Sequence, residues 1–176
     1  MTPVILDPER QLLGCVMQLD TDPARQLLAG MQAADLGEPI ASNVLQLAIE
    51  LLAVDHAPTP LALLDAMWET TDTRPWTGGP HRLQIVGLWI ADTYHHAPHA
   101  PAASGTWLKT VVLKAAWRRA VRLHGLRLVQ GVDEEWVTTS LYEVTDDTTR
   151  IDDLWSRYRT ACDYIGTTWS ARETAA

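Results

Sequence analysis

Residues 106–130 read TWLKTVVLKAAWRRAVRLHGLRLVQ, and residues 131–153 continue with GVDEEWVTTSLYEVTDDTTRIDD. The first stretch contains no proline and no acidic residue, and Lys114, Arg118 and Arg122 recur one helical turn apart, so it is expected to be helical. Roughly opposite that basic stripe lie Val112, Ala116, Ala120 and Leu123, widened by Leu113, Trp117 and Val121. So broad an apolar arc has to be covered. Gly131 is expected to break the helix, and Asp133, Glu134 and Glu135 to open a return arm, because a helix N-terminus favours carboxylates. Residues 133–153 hold eight Asp or Glu and one Arg, whereas residues 106–130 hold six Lys or Arg and no carboxylate. Folding the two arms together relieves both charge runs. Residues 104–166 are therefore read as one long helical hairpin.

A chain of 176 residues suffices for a compact domain with an extended appendage. With 47% apolar and 20% charged residues and almost no β-rich run, it is expected to be all-α. Phenylalanine is absent while Trp occurs eight times, so Trp, Leu and Met must fill the large core positions. The net charge of -8 argues against non-specific nucleic-acid binding by the whole chain and leaves room for a locally basic face. Cys15 and Cys162 are isolated, without metal-type spacing, and read as small buried residues of a reducing compartment rather than a disulfide. No basic-then-apolar leader and no twenty-residue apolar segment is visible, so a cytoplasmic protein is expected.

Along the rest of the chain, Asp7 caps a helix with Pro8 at its first position and a stripe of Leu12, Leu13, Val16 and Met17. A second short helix, capped by Thr21 or Asp22, buries Leu27, Leu28 and Met31. Pro39 starts a third, with Val44, Leu45, Leu47, Ala48, Leu51 and Leu52, which is expected to centre the globule. Thr59 caps a fourth carrying Leu61, Leu64 and Trp68, and Gly78-Gly79-Pro80 opens a fifth after a polar loop at 70–79. Residues 93–104, with His95, His96, Pro98, His99 and Pro101, read as the boundary between globule and hairpin. The expected organisation is a multi-helix globule at 1–103, a helical hairpin at 104–168 and a flexible tail at 169–176.

Sites with chemistry are sparse. Gly78-Gly79 lacks the downstream Gly-Lys-Ser or Gly-Lys-Thr of a triphosphate site. His95, His96 and His99 offer imidazoles, yet no cysteine is close in sequence and adjacent histidines usually point apart; a metal-dependent enzyme using this loop is one alternative. Asp146-Asp147 and Asp152-Asp153 read as caps and solvated surface rather than an acid–base pair. Arg118-Arg119 beside Lys114 and Arg122 could grip phosphate, yet the acidic partner arm favours a protein–protein or intrachain role; a helical DNA-binding regulator is a second alternative. No nucleophile stands with its base, and no catalytic, cofactor or metal residue is assigned.

In order and spacing these segments resemble the N-terminal domain of DnaB-type replicative DNA helicases of bacteria and their phages. Glu9 with Leu13-Gly14 resembles that family's opening helix, Ala34-Asp35-Leu36 its Glu-Asp-Phe turn, and residues 39–51 its central helix. Gly79 matches a glycine pair before the next helix, and Trp107-Leu108, Val111-Val112 and Arg118-Arg119 resemble the Tyr-Ala, Ile-Val and Arg-Arg signature that opens the family's hairpin. Leu36 and Leu45 replace the family's usual Phe, and Ala41 a frequent His.

The resemblance implies a collar-type module without the motor that the helicases carry after it. Its expected partners are further copies of itself, as a homodimer of antiparallel hairpins or a higher oligomer, and a helicase, primase or helicase loader, with no tight DNA binding, no membrane and no cofactor. A related helical plan in the helicase-binding domain of bacterial primase keeps a primase-side mimic open. Two Lys against twelve Arg suggest a phage or high-GC bacterium. The expected interface comprises Trp107, Val112, Leu113, Ala116, Trp117, Ala120, Val121 and Leu123, with Lys114, Arg118 and Arg122 setting orientation.

Overall fold

The computed structural model describes residues 7–69 and 80–173, with side chains through 69 and from 83 to 166. Its helices are α1 (Pro8–Met17), α2 (Thr21–Leu28), α3 (Pro39–Ala53), α4 (Pro60–Glu69), α5 (Pro80–His95), α6 (Pro101–Asp133), α7 (Thr138–Asp146) and α8 (Thr149–Glu173). A 3-10 turn, Ala33–Asp35, precedes α3. No strand occurs among the described residues, and the fold is all-α. The chain divides into two compact units, Met1–Lys109 and Thr110–Ala176.

In the first unit α3 is the hub, packing against α1, α2, α4 and the 3-10 turn. Val44, Leu45, Leu47, Ala48 and Leu52 are buried along it, as the apolar spacing requires. Asp7 Oδ1 accepts from the Glu9 N–H at 3.0 Å and starts α1, with Pro8 at a position that needs no donor. The Glu9 carboxylate then accepts from the Gly37 and Glu38 N–H groups, at 2.8 and 3.3 Å, tying α1 to the approach to α3. Asp35 is buried because its carboxylate closes the turn, accepting from the Gln32 N–H at 2.8 Å. Glu9 and Asp35 are thus local fasteners.

Several expectations are corrected here. The N-cap of α2 is Asp20, without a side-chain bond, and Thr21 and Asp22 already lie in the helix. Asp22 instead takes Arg25 Nη1 at 2.9 Å, while the same guanidinium pairs with Asp55 and donates to the Leu52 carbonyl at 3.0 Å. In α4, Thr59 caps as expected, accepting from the Ala62 N–H at 3.3 Å, but the buried face is Leu63 and Met67. Leu61 and Trp68 are 77% and 70% exposed, because only one narrow side of α4 meets α3 and α5. The predicted loop at 93–104 is shorter: α5 runs on to His95 and α6 begins at Pro101. The polar loop at 70–79 and the Gly78-Gly79 pair lie outside the described residues, while the predicted tail is helical as far as Glu173.

Helix α1 packs closely on α5. Arg10 lies over the Trp89 ring at 5.1 Å, donates from Nε to Thr93 Oγ1 at 2.8 Å, and pairs with Asp92. One turn further along α1, a Cβ on Gly14 would stand 2.8 Å from the Thr93 carbonyl oxygen and 2.8 Å from Ala97 Cβ. Backbone cannot yield as a side-chain tip can. Gly14→Ala should therefore lower unfolding free energy by about 1–3 kcal/mol despite the better helix former, as measured by urea denaturation. An unchanged or raised midpoint would mean that α1 and α5 stand further apart than described.

Candidate interaction surface

The first two turns of α6 belong to the globule. A Cβ on Gly105 would meet Leu27 Cδ2 at 2.7 Å, and Lys109 Nζ donates to the Ala29 carbonyl just beyond the C-terminus of α2, at 2.7 Å. Burial lowers the Lys109 pKa by penalising its charged form.

In the second unit α6 does not break at Gly131. It continues to Asp133 and ends in a Schellman motif: the Trp136 N–H bonds the Gly131 carbonyl at 2.9 Å and the Glu135 N–H bonds the Val132 carbonyl at 3.2 Å. Glu135 supplies the left-handed residue, with φ 53. Gly131 has a packing role, since a Cβ there would lie 3.0 Å from the Trp136 ring and 3.1 Å from Leu141 Cδ1. The indole Nε1 donates to Glu134 Oε2 at 3.0 Å and Gln130 Nε2 to Glu134 Oε1 at 2.9 Å. The bond from Gln130 and then that from Trp136 hold the Glu134 carboxyl below its ordinary value. Asp133, Glu134 and Glu135 therefore form the turn rather than the start of the return arm, which consists of α7 and α8 in succession.

Trp117 meets Trp155 of α8 with ring centroids 5.1 Å apart, and Trp155 meets Tyr158 at 5.6 Å. The hydrogen bond with Cys162, one turn on, together with desolvation, raises the Tyr158 pKa. Cys162 is half-buried, whereas Cys15 is enclosed in the globule and its thiol is pushed up to about 11.

The expected interface residues separate into two groups. Val112, Leu113 and Ala116 are buried within the chain and are not surface, and Trp117 and Ala120 are half-buried. Trp107, Val121 and Leu123 are exposed, as are Lys114, Arg118 and Arg122, which have no ion-pair partner among the described residues. Leu126, Val129 and Val132 escape the sequence reading, although their three-residue spacing from Leu123 is visible in it; they are 54%, 58% and 63% exposed. Val137 and Tyr142, beyond the turn, are exposed as well. That is much apolar surface for one short unit.

His95, His96 and His99 are not convergent. His96 Nδ1 sits 2.9 Å from the Asp92 carbonyl oxygen and 3.2 Å from its carboxylate, with the His95 ring edge-on to it. No group of three or more His, Cys, Asp or Glu among the described residues is arranged to hold a metal ion. No described helix is long and apolar enough to cross a membrane. No protein-family model, curated protein or solved structure matches the chain.

The turn and the two thiols can each be probed. Glu135→Gly should raise stability by about 1 kcal/mol, because glycine adopts the left-handed conformation without a Cβ penalty. Loss of stability in thermal melts would refute the motif. A thiol reagent should titrate Cys162 in the native protein and reach Cys15 only in denaturant. For Glu134, whose folded pKa is lowered, the stabilising bonds are fully present above 4.5 and are lost as pH falls through the lower folded value. The Trp136 indole resonance should accordingly shift with a midpoint below 4.5.

Proposed function

We propose that the chain is a non-enzymatic interaction module of DNA replication, of the kind formed by the collar domain of DnaB-type helicases. It pairs with a second copy of itself through the hairpin and docks on a replicative helicase, a primase or a helicase loader in the cytoplasm. The observation that carries this reading is the exposed apolar surface of α6 at Val121, Leu123, Leu126, Val129 and Val132, beside the exposed charges of Lys114, Arg118 and Arg122. An apolar surface of that extent on an acidic chain is what a protein partner covers. The order of elements supports the same reading: short helices around a central one, then a long helix and its return.

Light scattering at micromolar concentration tests the first part, with a dimer expected. Trp117 is a poor probe because it is engaged with Trp155, so the informative variants are Leu126→Asp and Val129→Asp. Each should weaken association at least tenfold, about 1.4 kcal/mol, with unchanged helicity. Arg122→Ala should mainly alter the salt dependence. The second part is tested by titrating the chain into its host's helicase, primase and loader and measuring complex formation and unwinding. A tight complex with DNA at moderate salt in place of these proteins would overturn the assignment.

A further inference from the structure

We propose that two copies pair antiparallel along α6 with their two-fold axis at Gly125; this rests on the self-association reading above. Gly125 sits in the middle of an uninterrupted helix, where glycine costs helix stability. Nothing among the described residues requires it, for a Cβ there would have none of their atoms within 4 Å, in contrast to Gly131 beneath Trp136. On either side the same helical face carries Val121, Leu128 and Val132, spaced by four, three and four residues through Gly125. Val121 and Val132 are exposed and Leu128 is half-buried, so an open apolar seam runs past a gap in the helix surface. A gap flanked by apolar side chains admits the backbone of a second helix.

The charges choose the orientation. Lys114 lies eleven residues before Gly125 and Glu135 ten after it; Arg118 lies seven before and Asp133 eight after. An antiparallel pair centred on Gly125 therefore brings Lys114 toward the partner's Glu135 and Arg118 toward the partner's Asp133. The two-fold axis repeats both pairs. A parallel pair sets Lys114 against Lys114 and Asp133 against Asp133, which repels at both ends. All four side chains belong to exposed residues, and none is engaged in an ion pair among the described residues. The surface is thus complementary to itself.

The test uses the full chain carrying Cys162→Ser, so that the remaining native thiol is the buried Cys15. Helix axes packed about 8–10 Å apart, with Cα atoms about 2.3 Å from each axis, place facing Cα atoms about 3.4–5.4 Å apart at the crossing. The wider part of that span lies within disulfide range, so Gly125→Cys should give a cross-linked dimer under mild oxidation. Arg118→Cys and Asp133→Cys should cross-link when the two variants are mixed and far less when either is alone. Gly125→Leu should raise the melting temperature of the diluted monomer yet weaken the dimer at least tenfold, a pair of opposite signs that general destabilisation does not produce. A dimeric mass with no cross-link at position 125 and none in the mixture overturns the axis and leaves self-association standing. A monomeric mass at high micromolar concentration removes both.

Discussion

An indole laid across a glycine makes the hairpin possible. The chain turns back at Glu135, a left-handed residue that is not glycine, and that conformation is unfavourable by itself. It is held because Trp136 fills the surface left by Gly131 and its N–H satisfies the Gly131 carbonyl, so apolar contact and helix capping act on the same two residues. Glu134 adds a clasp by accepting from Gln130 and from the indole. Without this stop nothing in the pattern of α6 would end the helix, since Val132 continues its apolar spacing.

Past the turn, the narrow inner face of α8 explains why so much of α6 stays open. The inward positions of α8 are Ile151, Leu154, Tyr158, Ala161 and Ile165, alternating by three and four residues, which is the seam of a two-helix packing. Leu154 and Ala161 are buried along it while Trp155 and Tyr164 are partly exposed. The apolar residues of α6 span far more of its circumference than one such seam can cover. Helix α7 adds little cover, since Thr138–Asp146 has no buried residue. The surplus is a property of the pattern, and it leaves Leu126, Val129 and Val132 in water unless another molecule meets them.

Legibility in the sequence tracks the range of the forces involved. Starts set by local chemistry are readable directly: Asp7 before Pro8, Pro39 and Thr59 before Pro60 stand where the caps and first turns stand. So is the buried stripe of α3, whose apolar residues far outnumber the alternatives. Gly131 misleads because a glycine is ambiguous between ending a helix and admitting a neighbouring ring, and only the position of Trp136 distinguishes the two. Trp68 and Leu61 mislead because large apolar residues are read as core, whereas α4 has one narrow covered side. For the interface, periodicity shows that α6 is apolar over a broad arc but not which part the chain covers itself, so it groups Val112, Leu113 and Ala116 with residues that remain exposed.

The charge distribution bears on what the open surface meets. A chain that separates the six basic residues of 106–130 from the eight acidic residues of 133–153 could neutralise them internally. Yet an ion pair of the second unit, Arg157 with Asp153, joins neighbours one turn apart on the same helix. Pairs of that kind are worth a few tenths of a kcal/mol and do not dictate how elements associate. Lys114, Arg118 and Arg122 remain exposed along the same helix as the apolar surplus. Charge left beside apolar surface adds little to the stability of the chain, but it orients an approaching partner and discriminates against the wrong alignment. The two halves of the pattern, apolar surplus and exposed charge, therefore lie along one helix, and it is their arrangement along α6 that gives the surface a direction.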